Sequence, residues 1–322
     1  MKKTLSAMLI MVLLASPVAA EELFVHGGAA MDTETHNLSG QWSISYVHHL
    51  DESAALSLTY LNEGHQPYHY RDSLAAQIWG KTKIPASQFS LALGIGPLVY
   101  FDTRVVPLTD RYEDAHGLGV VTSATATWYG LSPLLFQVRL NYITVRDSFD
   151  TLAATAGIGY LLDAPTAAES RPHPARDFER PADEIALYFG YATLNSAKSE
   201  TDVAGAIEYR RHFGRHVDWT VTFLGEGDHR PLGRYGITSQ LWVLQPFFSD
   251  RLELGMGFGP YVARDEYGNE DGSRMTALAG NISAMAAWRL SPRVALRAIW
   301  SRIVTDYHRD TDVYLGGLSY SF

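Results

Sequence analysis

The sequence predicts an all-β protein: a transmembrane, antiparallel, up-and-down β-barrel in two tandem eight-stranded units. Three observations predict it. Apolar and polar residues alternate at a period of two through sixteen short segments, the pattern of strands with one apolar face. Beyond the N-terminus no stretch is apolar enough for a spanning helix, yet the chain holds 18 Tyr and 7 Trp. The chain also repeats itself. Tyr60 to His65 (YLNEGH) returns as Phe223 to Asp228 (FLGEGD), and Arg71, Gln77, Trp79, Gly94, Gly96, Pro97 and Asp102 return as Arg234, Gln240, Trp242, Gly257, Gly259, Pro260 and Asp265. Near the end, Asp150, Thr151, Gly157 and Tyr160 match Asp310, Thr311, Gly317 and Tyr320. A period of about 160 residues is too long for a solenoid repeat and marks duplication of a whole barrel.

Residues 1–20 read as a cleaved signal peptide. Lys2 and Lys3 form a basic start, Leu5 to Leu14 a short apolar core, and Val18 to Ala20 a small-residue cleavage site. The formal net charge is -9, and loss of the two lysines makes the exported chain more acidic. No basic stripe exists to neutralise phosphates, which argues against a nucleic-acid partner. Cysteine is absent, consistent with export without disulfides.

The first repeat, 21–162, parses into strands near 23–31, 40–49, 54–63, 72–81, 88–100, 119–129, 134–145 and 151–162. The second, 184–322, gives 184–194, 203–212, 216–226, 235–244, 250–263, 276–289, 293–304 and 311–322. Most reach the roughly 9–11 residues a tilted membrane strand needs. Connections alternate short (Leu50–Ser53, Lys83–Ala86, Leu131–Pro133) and long (Gly64–Arg71, Asp102–Gly117), as periplasmic turns and outer loops do. The terminal Phe322 resembles the signal read by the barrel assembly machinery. Residues 163–183, rich in Pro, Ala and charge, read as a periplasmic linker.

That linker favours two barrels over the alternative, one sixteen-stranded barrel acting as a passive porin-like channel. So does the interior. Strand phase turns Gln77, Trp79, Gln240 and Trp242 inward, facing the small Ala92, Gly94 and Gly96 and their copies Gly255, Gly257 and Gly259. Large beside small fills a narrow barrel. Glu208, Arg210, Glu253 and Arg297 also turn inward, where charges must pair. Arg139 takes the inward phase of the matching first-half strand, one residue out of register with Arg297.

The chemistry-bearing residues gather at the outer rim: Glu63, His65, His69, Arg71 and Asp72, with Glu226, Asp228, His229 and Arg234 in the copy. The leading reading is a hydrogen-bonded rim that orders the outer loops. Binding of lipopolysaccharide or a divalent cation stays open, as does a lipid hydrolase using Glu63, His65, His69 and Ser73. No cofactor and no resident metal are expected. The repeated Gly-x-Gly-Pro lacks the strand–loop–helix setting of a nucleotide loop and reads as a bend or bulge. Tyr68, Tyr70, Tyr100, Phe101 and Tyr112 read as an interfacial aromatic belt.

In strand order, in the acidic Glu-Gly step after strand three and in the Gly-rich fifth strand, each repeat resembles the lipid A 3-O-deacylase family of eight-stranded outer-membrane enzymes. The resemblance implies a Ser nucleophile and a His base two residues apart on a late strand, with a Glu orienting the His. This chain contains no His-x-Ser; its seventh strands read RLNYIT (Arg139–Thr144) and RAIWSR (Arg297–Arg302). A Ser without a neighbouring base is a weak nucleophile. The expectation is a non-catalytic outer-membrane barrel. Its partners would be membrane lipid and lipopolysaccharide, envelope polysaccharide or another surface molecule.

Overall fold

The computed structural model describes residues 21–106, 111–162, 181–196, 198–214, 216–228, 232–248, 250–268 and 274–322. The expected signal peptide, residues 163–180 of the expected linker, and His229 lie outside the described residues. The chain divides into two compact units. The first holds β1 (Glu21–Asp32), β2 (Leu38–His49), β3 (Ala54–Gln66), β4 (His69–Lys83), β5 (Phe89–Val105), β6 (Tyr112–Leu131), β7 (Leu134–Val145) and β8 (Thr151–Leu161). The second holds β9 (Asp183–Leu194), β10 (Thr201–His212), β11 (Val217–Gly225), β12 (Arg234–Phe247), β13 (Leu252–Asp265), β14 (Met275–Arg289), β15 (Val294–Val304) and β16 (Thr311–Ser321).

Each unit is a closed antiparallel barrel of eight strands. β1 pairs with β8 from Glu22↔Leu161 to Asp32↔Thr151, and β9 pairs with β16 from Glu184↔Ser321 to Leu194↔Thr311. With β2 and β10 on their other sides, β1 and β9 have no edge left for a shared wall. This corrects the sixteen-stranded alternative, and the wide channel built on it falls too. Closure is what hydrocarbon demands, since each open backbone group there costs several kcal/mol.

β7 shows how the sequence builds the wall. Leu134, Phe136, Val138, Leu140 and Tyr142 are exposed outside, while Gln137, Arg139 and Asn141 between them are buried inside. Apolar-out and polar-in is the arrangement of a barrel that faces lipid. The interior is filled in layers. Trp79 lies against Gly94, where a Cβ would come within 2.5 Å of the indole, and Trp242 meets Gly257 in the same way. Trp79 Nε1 donates to Ser57 and Trp242 Nε1 to the matched Thr220. Arg139 then donates to Asn141 Oδ1 (2.8 Å), Ser45 Oγ (2.9 Å) and Gln77 Oε1 (2.5 Å), all neutral acceptors. In the second barrel Arg210 instead meets the carboxylates of Glu208 (2.9 Å) and Asp218 (3.1 Å). Arg139 stands over Trp79 and Arg210 over Trp242, so equivalent rings are capped from different strands.

Several expectations change. Most of Gly64–Arg71 and Asp102–Gly117 is strand: β5 and β6 stay paired up to Val105↔Tyr112. Polar outer hairpins carry no apolar alternation, which hid them. The Gly-x-Gly-Pro segments make no bulge, because register with the preceding strand is unshifted. Pro97 lacks an N–H, and Gly96 lets the Ala76 carbonyl lie 1.8 Å from where its Cβ would be. Tyr100 belongs to the interior with Leu61, Leu98, Val121 and Ile143, not to an outer belt. Arg139 and Arg297 are two residues out of register rather than one, since Gln137↔Gly157 matches Arg297↔Gly317. The linker reading runs one residue too far, because β9 already begins at Asp183.

Candidate functional site

The repeated Glu-Gly step is a backbone device. In β3, Asn62 pairs with Asp72 and His65 with Tyr70, so Glu63 and Gly64 together oppose Arg71 alone. This is a bulge, and bulges re-aim side chains. Gly64 takes φ +69° and Gly227 takes φ +117°, conformations that favour glycine. At Gly64 a Cβ would also fall 2.0 Å from the Gly40 carbonyl oxygen.

The bulge turns Glu63 onto Arg71. Arg71 Nε donates to Glu63 Oε2 at 2.6 Å and Nη2 to Oε1 at 2.9 Å, a bidentate pair. Thr151 Oγ1 donates to Glu63 Oε1 at 2.5 Å. Arg71 Nη1 reaches Ser148 Oγ (3.2 Å) and the Phe149 carbonyl, and the guanidinium lies 3.9 Å from the Phe149 ring centre. The second barrel repeats this. Arg234 pairs with Glu226 at 2.8 and 2.7 Å, Thr311 Oγ1 donates to Glu226, and Arg234 Nη1 reaches Tyr307 Oη (3.2 Å) and the Arg309 carbonyl (2.9 Å). Glu63, Arg71, Glu226 and Arg234 are all at most 2% exposed.

A second carboxylate completes each rim. Asp102 accepts from Ser148 Oγ (2.9 Å) and Arg104 Nε (3.2 Å) and meets His69 Nδ1 at 2.9 Å. Asp265 accepts from Arg309 Nε (2.9 Å) and Tyr307 Oη (3.2 Å). Burial pushes the Tyr307 hydroxyl pKa up, so the phenol remains a neutral donor. The first rim thus ties the β3–β4 wall across the lumen to the connection before β8, and the second ties the β11–β12 wall to the connection before β16.

The predicted cluster is only partly assembled. Glu63, Arg71 and His69 come together, as do Glu226 and Arg234. Asp72 points to the other face, as alternation along a strand requires, and accepts from Asn62 Nδ2 at 2.7 Å. Asp228 is exposed, its backbone N–H donating to Asp202 Oδ2. His65 lies opposite Tyr70 in β3; its side chain is outside the described residues. The Ser73 hydroxyl is buried and finds no hydrogen-bond partner among the described residues. Glu63 is held by Arg71 and Thr151, and no hydrogen bond joins it to Ser73 among the described residues. Among the described residues no group of three His or carboxylate side chains could hold a metal ion. The sequence reading missed Thr151, Thr311, Ser148, Tyr307 and Arg309. The repeated Asp-Thr pair was the available signal: Asp150 and Asp310 accept the N–H of Val145 and Thr305, and the threonine beside each closes the latch.

No family model matches the chain, and no curated protein does. Solved structures similar to it include the N-terminal β-barrel domain of Pseudomonas aeruginosa OprF, at 11% identity over 44% of this chain and 98% of that one, with a TM-score of 0.36. Neisserial surface protein A is similar at 12% identity over 44% and 96%, TM-score 0.36. Ail, the attachment invasion locus protein of Yersinia pestis, is similar at 9% over 44% and 96%, TM-score 0.34. These likenesses add nothing to what the strand pairing shows, and they give the lipid A 3-O-deacylase resemblance no support.

Proposed function

We propose that the chain is an integral outer-membrane protein of a Gram-negative bacterium that acts without catalysis. Its two sealed barrels hold outer hairpins that bind lipopolysaccharide. The observation that carries this reading is the duplicated latch. Glu63, Arg71 and Thr151, and again Glu226, Arg234 and Thr311, close the outer end of each lumen with buried, mutually satisfied charges. Such a latch stiffens the bases of the outer hairpins and leaves their outside as the surface for recognition. The apolar outer faces support insertion in lipid, and biogenesis through the barrel assembly machinery goes with that fold.

Density-gradient separation of the envelope tests the location: the chain should travel with the outer membrane, and recovery with the inner membrane or in soluble form would overturn it. Binding is tested in vesicles with and without lipopolysaccharide. Asp102 pairs with Ala115, so residues 103–114 can be replaced by a two-residue turn without changing register. That trimmed protein should bind lipopolysaccharide about tenfold more weakly. Equal binding would sink the assignment to this hairpin.

A further inference from the structure

At the opposite end of the first barrel, beside the β2–β3 and β4–β5 turns, lies a cavity of about 510 Å³. Its lining includes Glu22, His49, Glu52, Lys81, Lys83 and Tyr129. The volume lies within the roughly 300–1,000 Å³ typical of small-molecule sites. A narrow void of about 30 Å³ shares that lining and extends toward Trp79 and Arg139.

The floor is built. Glu22 Oε1 lies 2.9 Å from His49 Nε2 and accepts from the Tyr129 hydroxyl at 2.9 Å. Lys81 Nζ sits 3.1 Å from His49 Nδ1. An ammonium has three N–H donors, and this contact uses one. Lys83 follows on the same face of β4, placing two cations side by side. Across the mouth, Asp51 uses Oδ1 on the N–H groups of Ser53 and Ala54. Glu52 and Lys83 make no ion pair among the described residues.

The second barrel is an internal control. It keeps the floor pair, Glu184 with His212 at 3.8 Å. Where the first barrel has Ala55, Lys81, Ser90 and Gln137, strand register places Asp218, Leu244, Glu253 and Arg297, all buried. Arg297 pairs with Glu184 at 2.6 Å, and Asp218 with His212 at 2.8 Å. That scaffold is filled by internal ion pairs; the first barrel keeps smaller side chains and a half-buried ammonium around open space.

We propose that this cavity binds a zwitterionic amino acid or short peptide, its carboxylate on Lys81 and Lys83 and its ammonium toward Glu52. A phosphate dianion would meet Glu22 and Glu52 in the same space, and a simple cation would meet both lysines. Only a ligand carrying both charges satisfies both walls.

The test is calorimetric titration of the full chain in detergent with the dipeptide Ala-Ala, its N-acetyl form and its C-terminal amide. The free dipeptide should bind, and either cap should weaken binding about tenfold. Lys81→Met and Lys83→Gln should each weaken it comparably, and Ser90→Glu, which copies the second barrel, should abolish it. Far-UV circular dichroism checks folding; if Lys81→Met does not fold, the exposed Lys83 carries the same test. No binding of the free dipeptide at millimolar concentration, equal binding of the capped forms, or wild-type affinity in folded Lys83→Gln would overturn the proposal.

Discussion

Arg71 and Glu63 satisfy each other where neither reaches water, so a single deletion and the double one should differ sharply. Arg71→Met strands a buried carboxylate and should destabilise the first barrel by about 3–5 kcal/mol. Glu63→Leu with Arg71→Met removes both charges and should cost much less. Urea unfolding from lipid vesicles measures both. Equal losses would mean that the carboxylate is not desolvated as the geometry requires. A second residue-scale prediction concerns the Trp79 layer. Gly94→Ala would place a methyl 2.5 Å from the indole, an overpacking that costs about 1–3 kcal/mol. In a Trp79→Phe background that penalty should shrink, and an unchanged penalty would argue against the contact. Part of this chemistry was legible in the sequence: Glu63, Arg71, Gln77 and Trp79 recur with their copies, and strand phase turns Glu63, Gln77 and Trp79 inward, while Arg71 read as part of a loop. Thr151 was visible only as a repeated letter, because its role depends on a loop returning across the lumen. Asp72 was misplaced because nearness in sequence was taken for nearness in space, while a strand sends neighbours to opposite faces.

Strands and turns were legible in proportion to their apolar content. β7 alternates along its whole length and its bounds are those expected. β5 and β6 extend well past the expected ends, because their outer parts pair through backbone hydrogen bonds while carrying polar side chains. The bulge in β3 could not be read at all, since one extra residue changes register without changing composition. The β2–β3 turn supports a prediction at this scale. Hydrogen bonds from the Ser53 N–H, the Ser53 hydroxyl and the Ala54 N–H hold the Asp51 carboxyl below its usual range. A depressed folded pKa means that the cap is fully present above the unfolded value of about 3.9. It is lost as pH falls through the lower folded value. Nitrogen and proton NMR shifts of Ser53 and Ala54 should therefore titrate together at a midpoint below that of a free Asp, and Asp51→Ala should abolish the titration. A midpoint at or above the free value would refute the cap.

Closure fixes what the whole molecule can be. The duplication alone could not decide between two barrels and one, because identical alternation builds either; the decision lies in which strand each terminal strand meets. Val25 stands opposite Ile158 in register, both on the outer face. Directly opposed antiparallel residues have Cα atoms about 4.5–5.5 Å apart, within disulfide reach of about 4.4–6.8 Å. The chain has no native cysteine to interfere. Val25→Cys with Ile158→Cys should cross-link efficiently in the folded protein, and Val25→Cys with Leu318→Cys should not, because Leu318 is opposite Leu187. Each barrel also owns all of its strand partners, so residues 21–162 and 181–322 made as separate chains should each fold in detergent. A first half that folds only when the second is present would show that the closed β1–β8 seam does not form on its own, and would return the sixteen-stranded wall to consideration.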